Sequence, residues 1–213
     1  MDFEDLNNRY NTEYTNRLLQ HRHIFYEIYQ ACGYKFWKGC GSYLFDGQTY
    51  QYQESMYPKQ ELLYNSVKNV STVLEIGTYM GHSLLIMLLA NPNLKITCID
   101  ISEEYTLPSV TVLNKYFNNA ITFIKNDSIS FLQSTDKTFD FFHVDGHHEN
   151  EYIRNEFNLI KTKNSRSDNI LQIIFDDQDC LVPLQQDILN NYNVINRYAP
   201  GCLWSNVLFE IQL

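Results

Sequence analysis

Val73-Leu-Glu-Ile-Gly-Thr-Tyr-Met-Gly-His-Ser83 is a short apolar run that ends in Glu75, passes through a loop with Gly77 and Gly81, and opens an apolar segment. An aliphatic run bounded by glycine reads as a buried strand, and the segment Gly81–Ala90 behind it reads as a helix. Glycine in such a loop lets backbone approach a ligand closely, beside the partial positive charge of a helix N-terminus. In an open α/β sheet this corner borders the topological switch point, where ligands bind. A pyrophosphate site would carry G-x-G-x-x-G and no carboxylate at the strand end, so NAD is the poorer fit.

Outward from this stretch the alternation repeats. Strands are expected at Thr72–Ile76, Lys95–Ile99, Ile121–Ile124, Phe139–Val144, Ile170–Phe175, Tyr192–Arg197 and Ser205–Leu213. Helical segments fall at Gly81–Ala90, Ser109–Phe117, Ser128–Gln133, Glu149–Lys161 and Asp179–Asn190, with one more from Pro58 to about Lys68. This β-then-α rhythm predicts an α/β fold, a parallel sheet with helices on both faces, closed by an antiparallel hairpin of the last two strands. Residues 1–57 lack the rhythm. They hold one expected helix, Arg17–Ala31, and a glycine-containing loop, Gly33–Gln53, dense in aromatics. The organisation is therefore an N-terminal helical and aromatic extension, 1–57, and a main domain, 58–213. The extension's aromatics could cap an acceptor pocket, form a homodimer interface or cover the sheet edge. Trp37 and Tyr43 are the candidates for stacking on a sugar.

The chain has 213 residues and a formal charge of −9. That balance opposes binding to nucleic-acid backbones and anionic membrane surfaces, and favours a small substrate or a cationic cofactor. Five cysteines without C-x-x-C pairing argue against a disulfide framework or a structural zinc site. The polar, acidic N-terminus is unlike a signal peptide, and no apolar run approaches the roughly 20 residues of a membrane span. A reducing, cytoplasmic setting is expected.

Three further strand ends carry carboxylates. Asp100 follows Lys95–Ile99, 23 residues after Gly77, near the offset of about 20 at which an acid meets a ribose hydroxyl. Asp145 ends Phe139–Val144, and Asp176 and Asp177 end Ile170–Phe175. If those two strands are neighbours, Asp145 and Asp176 lie about 4.8 Å apart and repel unless a cation or proton intervenes. Their oxygens suit a hard ion such as Mg²⁺. Asp177 can share the ion only if the chain already turns there. His148, three residues beyond Asp145, stands where an imidazole could take a proton from a substrate hydroxyl. His143 alternates into the sheet and reads as a hydrogen-bonded core residue.

These pieces, in this order, resemble the class I S-adenosylmethionine-dependent methyltransferases, and more narrowly the metal-dependent small-molecule O-methyltransferases of catechol, caffeoyl-CoA and macrocin type. The resemblance runs from about Pro58 to Leu213. It implies a Rossmann-like seven-stranded sheet with the last strand antiparallel. It implies that Glu75, Gly77, Tyr79, Gly81 and Ser83 line the methionine and ribose part of the cofactor, Asp100 the ribose, and Asp127 and Ser128 the adenine. Asp145, Asp176 and Asp177 match metal-ligand positions, and Tyr57-Pro-Lys-Gln60 resembles a segment that closes over the cofactor. Catechol-type enzymes carry lysine where His148 stands, and Asp-Gly-x-His leans toward the sugar-modifying branch. The implied activity is methyl transfer to a hydroxyl of a small acceptor, with a sugar or glycoside the expected class, Asp145 holding the ion and His148 as base. Two other readings compete: a metal-dependent hydrolase using His143, Asp145, His147 and His148, and a non-catalytic binding protein on the same fold.

Overall fold

The computed structural model describes residues 3–202 and 204–213. Seven strands form one sheet: β1 (Thr72–Ile76), β2 (Lys95–Asp100), β3 (Ile121–Lys125), β4 (Phe141–Val144), β5 (Ile170–Phe175), β6 (Asn193–Tyr198) and β7 (Val207–Gln212). Their order is β3-β2-β1-β4-β5-β7-β6. The first five run parallel, and β7 is antiparallel to both β5 and β6. The chain builds outward from β1 to β3, then returns to place β4 on the other side of β1. That reversal is the switch point.

Alternation along each strand divides the core. Val73, Ile96, Cys98, Phe141 and Ile174 face one layer, whereas Leu74, Ile76, Phe142, Val144 and Phe175 face the other. The first layer is covered by α4 (Tyr57–Ser66), α5 (His82–Ala90) and α6 (Thr106–Tyr116). The second is covered by α7 (Ser128–Ser134), α8 (Asn150–Ile160) and α9 (Val182–Asn191). Pro58, Pro108 and Pro183 sit in the first turns of α4, α6 and α9, where a missing N–H costs nothing. Phe139 stands outside β4, bridging only to Asn164.

The N-terminal region differs from expectation. In place of one helix there are α1 (Phe3–Arg9), α2 (Glu13–Gln20) and α3 (Arg22–Ala31), with a break at His21. The reason is packing: α2 lies on α5 and α3 on α6, and one straight helix cannot follow both. Phe3, Leu18, Ile24, Phe25 and Ile28 are buried in the same core as the sheet. Gly33–Gln53 is irregular apart from a bridge between Ser42 and Phe45. All five cysteines are free, and no helix among the described residues is long and apolar enough to cross a membrane.

Candidate active site

Loop β1–α5 is the first wall of the site. Gly77, Tyr79 and Gly81 all have positive φ, at 78°, 50° and 67°. At Gly77 a Cβ would stand 2.1 Å from the Asp145 carbonyl oxygen, so only glycine lets this loop pass the end of β4. Asp100 braces the strained turn: one of its oxygens accepts the Thr78 and Tyr79 N–H groups at 3.0 and 2.9 Å. Its other oxygen accepts Ser102 N–H at 2.8 Å and keeps an acceptor direction free.

A cleft of about 570 Å³ opens over the ends of β1 to β5. That volume suits a cofactor-sized ligand. Of the residues singled out in the sequence, Gly77, Tyr79, Asp100, Asp127, Ser128, Asp145, His148, Asp176 and Asp177 line it. Glu75, Gly81 and Ser83 do not; they lie behind its wall. Alternation and register explain Glu75: it sits opposite His143 on the layer facing the N-terminal region. There His143 Nδ1–H donates to Glu75 at 3.0 Å, and its Nε2 accepts the Tyr43 hydroxyl at 2.8 Å. Fully buried, with both nitrogens engaged, His143 is a core residue. This takes it out of any hydrolytic cluster and takes Tyr43, itself buried, out of acceptor stacking.

The far end of the cleft holds the acids. Asp145, His148 and Asp177 bring their donor atoms within 4.8 Å of one another. Asp177 reaches the group because the chain does turn there, with φ at 47°. Asp176 has another partner. Lys59 Nζ donates to both its oxygens, at 3.1 and 2.9 Å, with both side chains buried. Burial works against the Lys59 charge, but Asp176 and then Asp145 hold its pKa above the ordinary value. Asp145 accepts no hydrogen bond among the described residues, and burial, then the Asp176 charge, push its pKa well above the carboxylate range. Burial and Asp176 raise Asp177 as well. An unpartnered, half-buried carboxylate beside two others is a fitting place for a cation, so the donor set can hold a divalent metal through Asp145 and Asp177.

Sequence reasoning missed several lining residues. Lys59 lay within a segment assigned only to closure, with no signal linking it to Asp176. Trp37, expected only as a stacking face for a sugar, covers the loop: its ring stacks on Tyr79 with centroids 5.3 Å apart and its backbone N–H donates to the Tyr79 hydroxyl at 2.7 Å. Cys40, Tyr152, Glu156 and Trp204 complete the walls.

A family described as "Methyltransferase domain" matches residues 74–176. No curated protein sequence matches the chain. Among solved structures, an O-methyltransferase from Bacillus cereus in complex with SAH superposes with a TM-score of 0.66 at 12% identity, over 89% of this chain and 90% of that one. The O-methyltransferase TomG from Streptomyces achromogenes, in complex with SAM, gives 0.61 at 14%, over 73% and 80%. The SAH-bound methyltransferase PaMTH1 from Podospora anserina gives 0.62 at 12%, over 87% and 86%. At such identities the superpositions speak for the fold, and the matched stretch spans the glycine loop, Asp100 and Asp145 through to Asp176. Residues 74–176 thus match a methyltransferase domain, and the seven-stranded sheet is the fold of these solved methyltransferases.

Proposed function

We propose that the chain transfers the methyl group of S-adenosylmethionine to a hydroxyl of a small acceptor, with a divalent cation at the Asp145–Asp177 corner. The observation that carries this reading is one continuous cleft. It has the glycine loop, Asp100 and Asp127 at one end and the Asp145, His148 and Asp177 cluster at the other.

Bound at the first end, the cofactor supplies an electrophilic methyl group on a sulfonium. Gly77 and Tyr79 would hold its amino-acid part, Asp100 a ribose hydroxyl through its free acceptor direction, and Ile101 would cover the adenine ring. Ile101 is 76% exposed beside Asp100 and has no other packing duty. Asp145 and Asp177 would hold the cation, which would supply Lewis acidity to a bound hydroxyl. His148, whose Nε2 stands 3.5 Å from Asp177, would take the proton. Lys59 neutralises Asp176 and so leaves the cation two carboxylates to satisfy rather than three. Oxygen donors favour Mg²⁺ here. For the acceptor, Trp37 and Trp204, each 42% exposed at the cleft, offer faces on which a sugar ring stacks.

The test is calorimetry with S-adenosylhomocysteine, followed by methyl transfer from labelled donor to hydroxylated sugars and phenols, with and without EDTA. Binding, and transfer that EDTA abolishes, is the expected result. No binding at millimolar ligand overturns the function, and full activity in EDTA removes the metal.

A further inference from the structure

Glu156, on α8, is fully buried yet borders the cleft beside Ser128. Ser128 Oγ donates to Glu156 Oε1 at 2.5 Å, and Oε2 has no partner among the described residues. Next to this pair the Tyr152 hydroxyl donates to one oxygen of Asp127, whose other oxygen accepts Ser130 N–H at 2.8 Å. Tyr152 and Ser128 also stand 3.3 Å apart, but each hydroxyl has a single proton and each proton is already given to a carboxylate. The Ser128 oxygen therefore meets the cleft with lone pairs only.

A serine hydroxyl left to itself rotates, and donates or accepts as its partner requires. Glu156 removes that choice. It does so when ionised, because both carboxylate oxygens can then only accept. Burial pushes the Glu156 pKa up to about 7, opposed by the Ser128 hydrogen bond, with Asp127 raising and His147 lowering it further.

We propose that Glu156 is a specificity-determining positioning residue. By fixing Ser128 as an acceptor, it makes the nucleobase end of the cleft take a base edge bearing an amino group and reject one bearing an oxo group. An amino N–H would donate to Ser128 Oγ, whereas an oxo oxygen would face it lone pair to lone pair. The inference rests on the reading of this cleft as the S-adenosylmethionine site.

Calorimetry with S-adenosylhomocysteine and S-inosylhomocysteine, in which hypoxanthine replaces adenine, tests it. The unaltered protein is expected to prefer the adenine form by about tenfold or more. In Glu156→Leu the freed hydroxyl can turn and donate to the oxo group, so the ratio falls to within about twofold. In Glu156→Gln the amide can turn and donate to Ser128 Oγ, which frees the serine proton, so the preference is expected to fall as in Glu156→Leu. A residue with a merely structural role would weaken both ligands together and leave the ratio alone. Should Glu156→Leu not fold, Ser128→Ala, which leaves α8 intact, is expected to lose the preference and decides the matter. Equal affinities in the unaltered protein, or an undiminished ratio in Glu156→Leu or Ser128→Ala, overturns the role of Glu156. Failure of both ligands to bind overturns the cofactor reading itself.

Discussion

Lys59 is 3% exposed, its ammonium lies on both oxygens of Asp176, and it also stands 4.4 Å from the centre of the Tyr43 ring. Removing one member of such a pair strands the other charge in a desolvated place. Lys59→Met is expected to destabilise the protein by about 3–5 kcal/mol, and Lys59→Met with Asp176→Asn to recover most of the loss. Urea denaturation of the two single variants and the double reads the coupling directly. Equal stability of Lys59→Met and the unaltered protein would show that the pair does not form. His148→Ala is the complementary change, at the half-exposed rim. It should lower kcat by about 10²–10⁴-fold and leave S-adenosylhomocysteine affinity unchanged. A loss of affinity instead would make His148 part of the cofactor's own site.

Among the elements, the β1–α5 loop and α8 set the geometry of the cleft. Gly77 and Gly81 both have positive φ, but only Gly77 faces backbone; a Cβ at Gly81 meets side chains at 3.4 Å. Gly81→Ala should therefore cost only the conformational strain, about 1–2 kcal/mol. Gly77→Ala adds a collision with the Asp145 carbonyl and should abolish cofactor binding, as calorimetry on the two variants will show. Similar behaviour of both would mean that φ alone matters. On α8, Glu156 has a pKa of about 7 in the fold against an ordinary 4.5. The native state thus holds this proton more tightly than the unfolded chain does. Stability is full below about pH 4.5, declines as pH rises to about 7, and is then flat, a loss of roughly 3 kcal/mol at most. The Tm of Glu156→Gln relative to the unaltered protein should accordingly rise between pH 5 and pH 8. A difference that stays constant over that range contradicts the burial of an ionising group there.

On the scale of the whole molecule, the N-terminal helices are built into the core of the sheet. Phe3, Leu18, Phe25 and Ile28 share one cluster with Leu84, Leu88 and Val73. Deleting residues 1–31 should leave an apolar face bare, giving aggregates in size-exclusion chromatography; a monodisperse, folded remainder would show the helices to be an appendage. The sheet itself was legible beforehand. β1 and β5 stand where the apolar runs placed them, because a strand buried on both faces needs an uninterrupted aliphatic stretch and little else fits one. The N-terminal helices were legible only in part, since the break at His21 answers to α5 and α6, which local spacing does not contain. In the site, Asp100, Asp145 and Asp177 could be read from strand ends, which topology brings to one edge. Lys59 and Glu156 could not. Each acquires its meaning from a partner distant in sequence, and burial that makes a lysine or glutamate informative is invisible until the chain has closed.

The placement of β7 has a consequence for how such a chain is made. It is wedged between β5 and β6, so β6 has nothing to pair with until residues 207–212 have been synthesised. During vectorial synthesis β5, with its run Ile170–Phe175, is a bare sheet edge for the time needed to add some thirty further residues. The nascent protein is therefore exposed to edge-to-edge association late rather than early, after the ligand cleft has all its strands. A ribosome stalled near Tyr198 would present the most aggregation-prone form of this molecule.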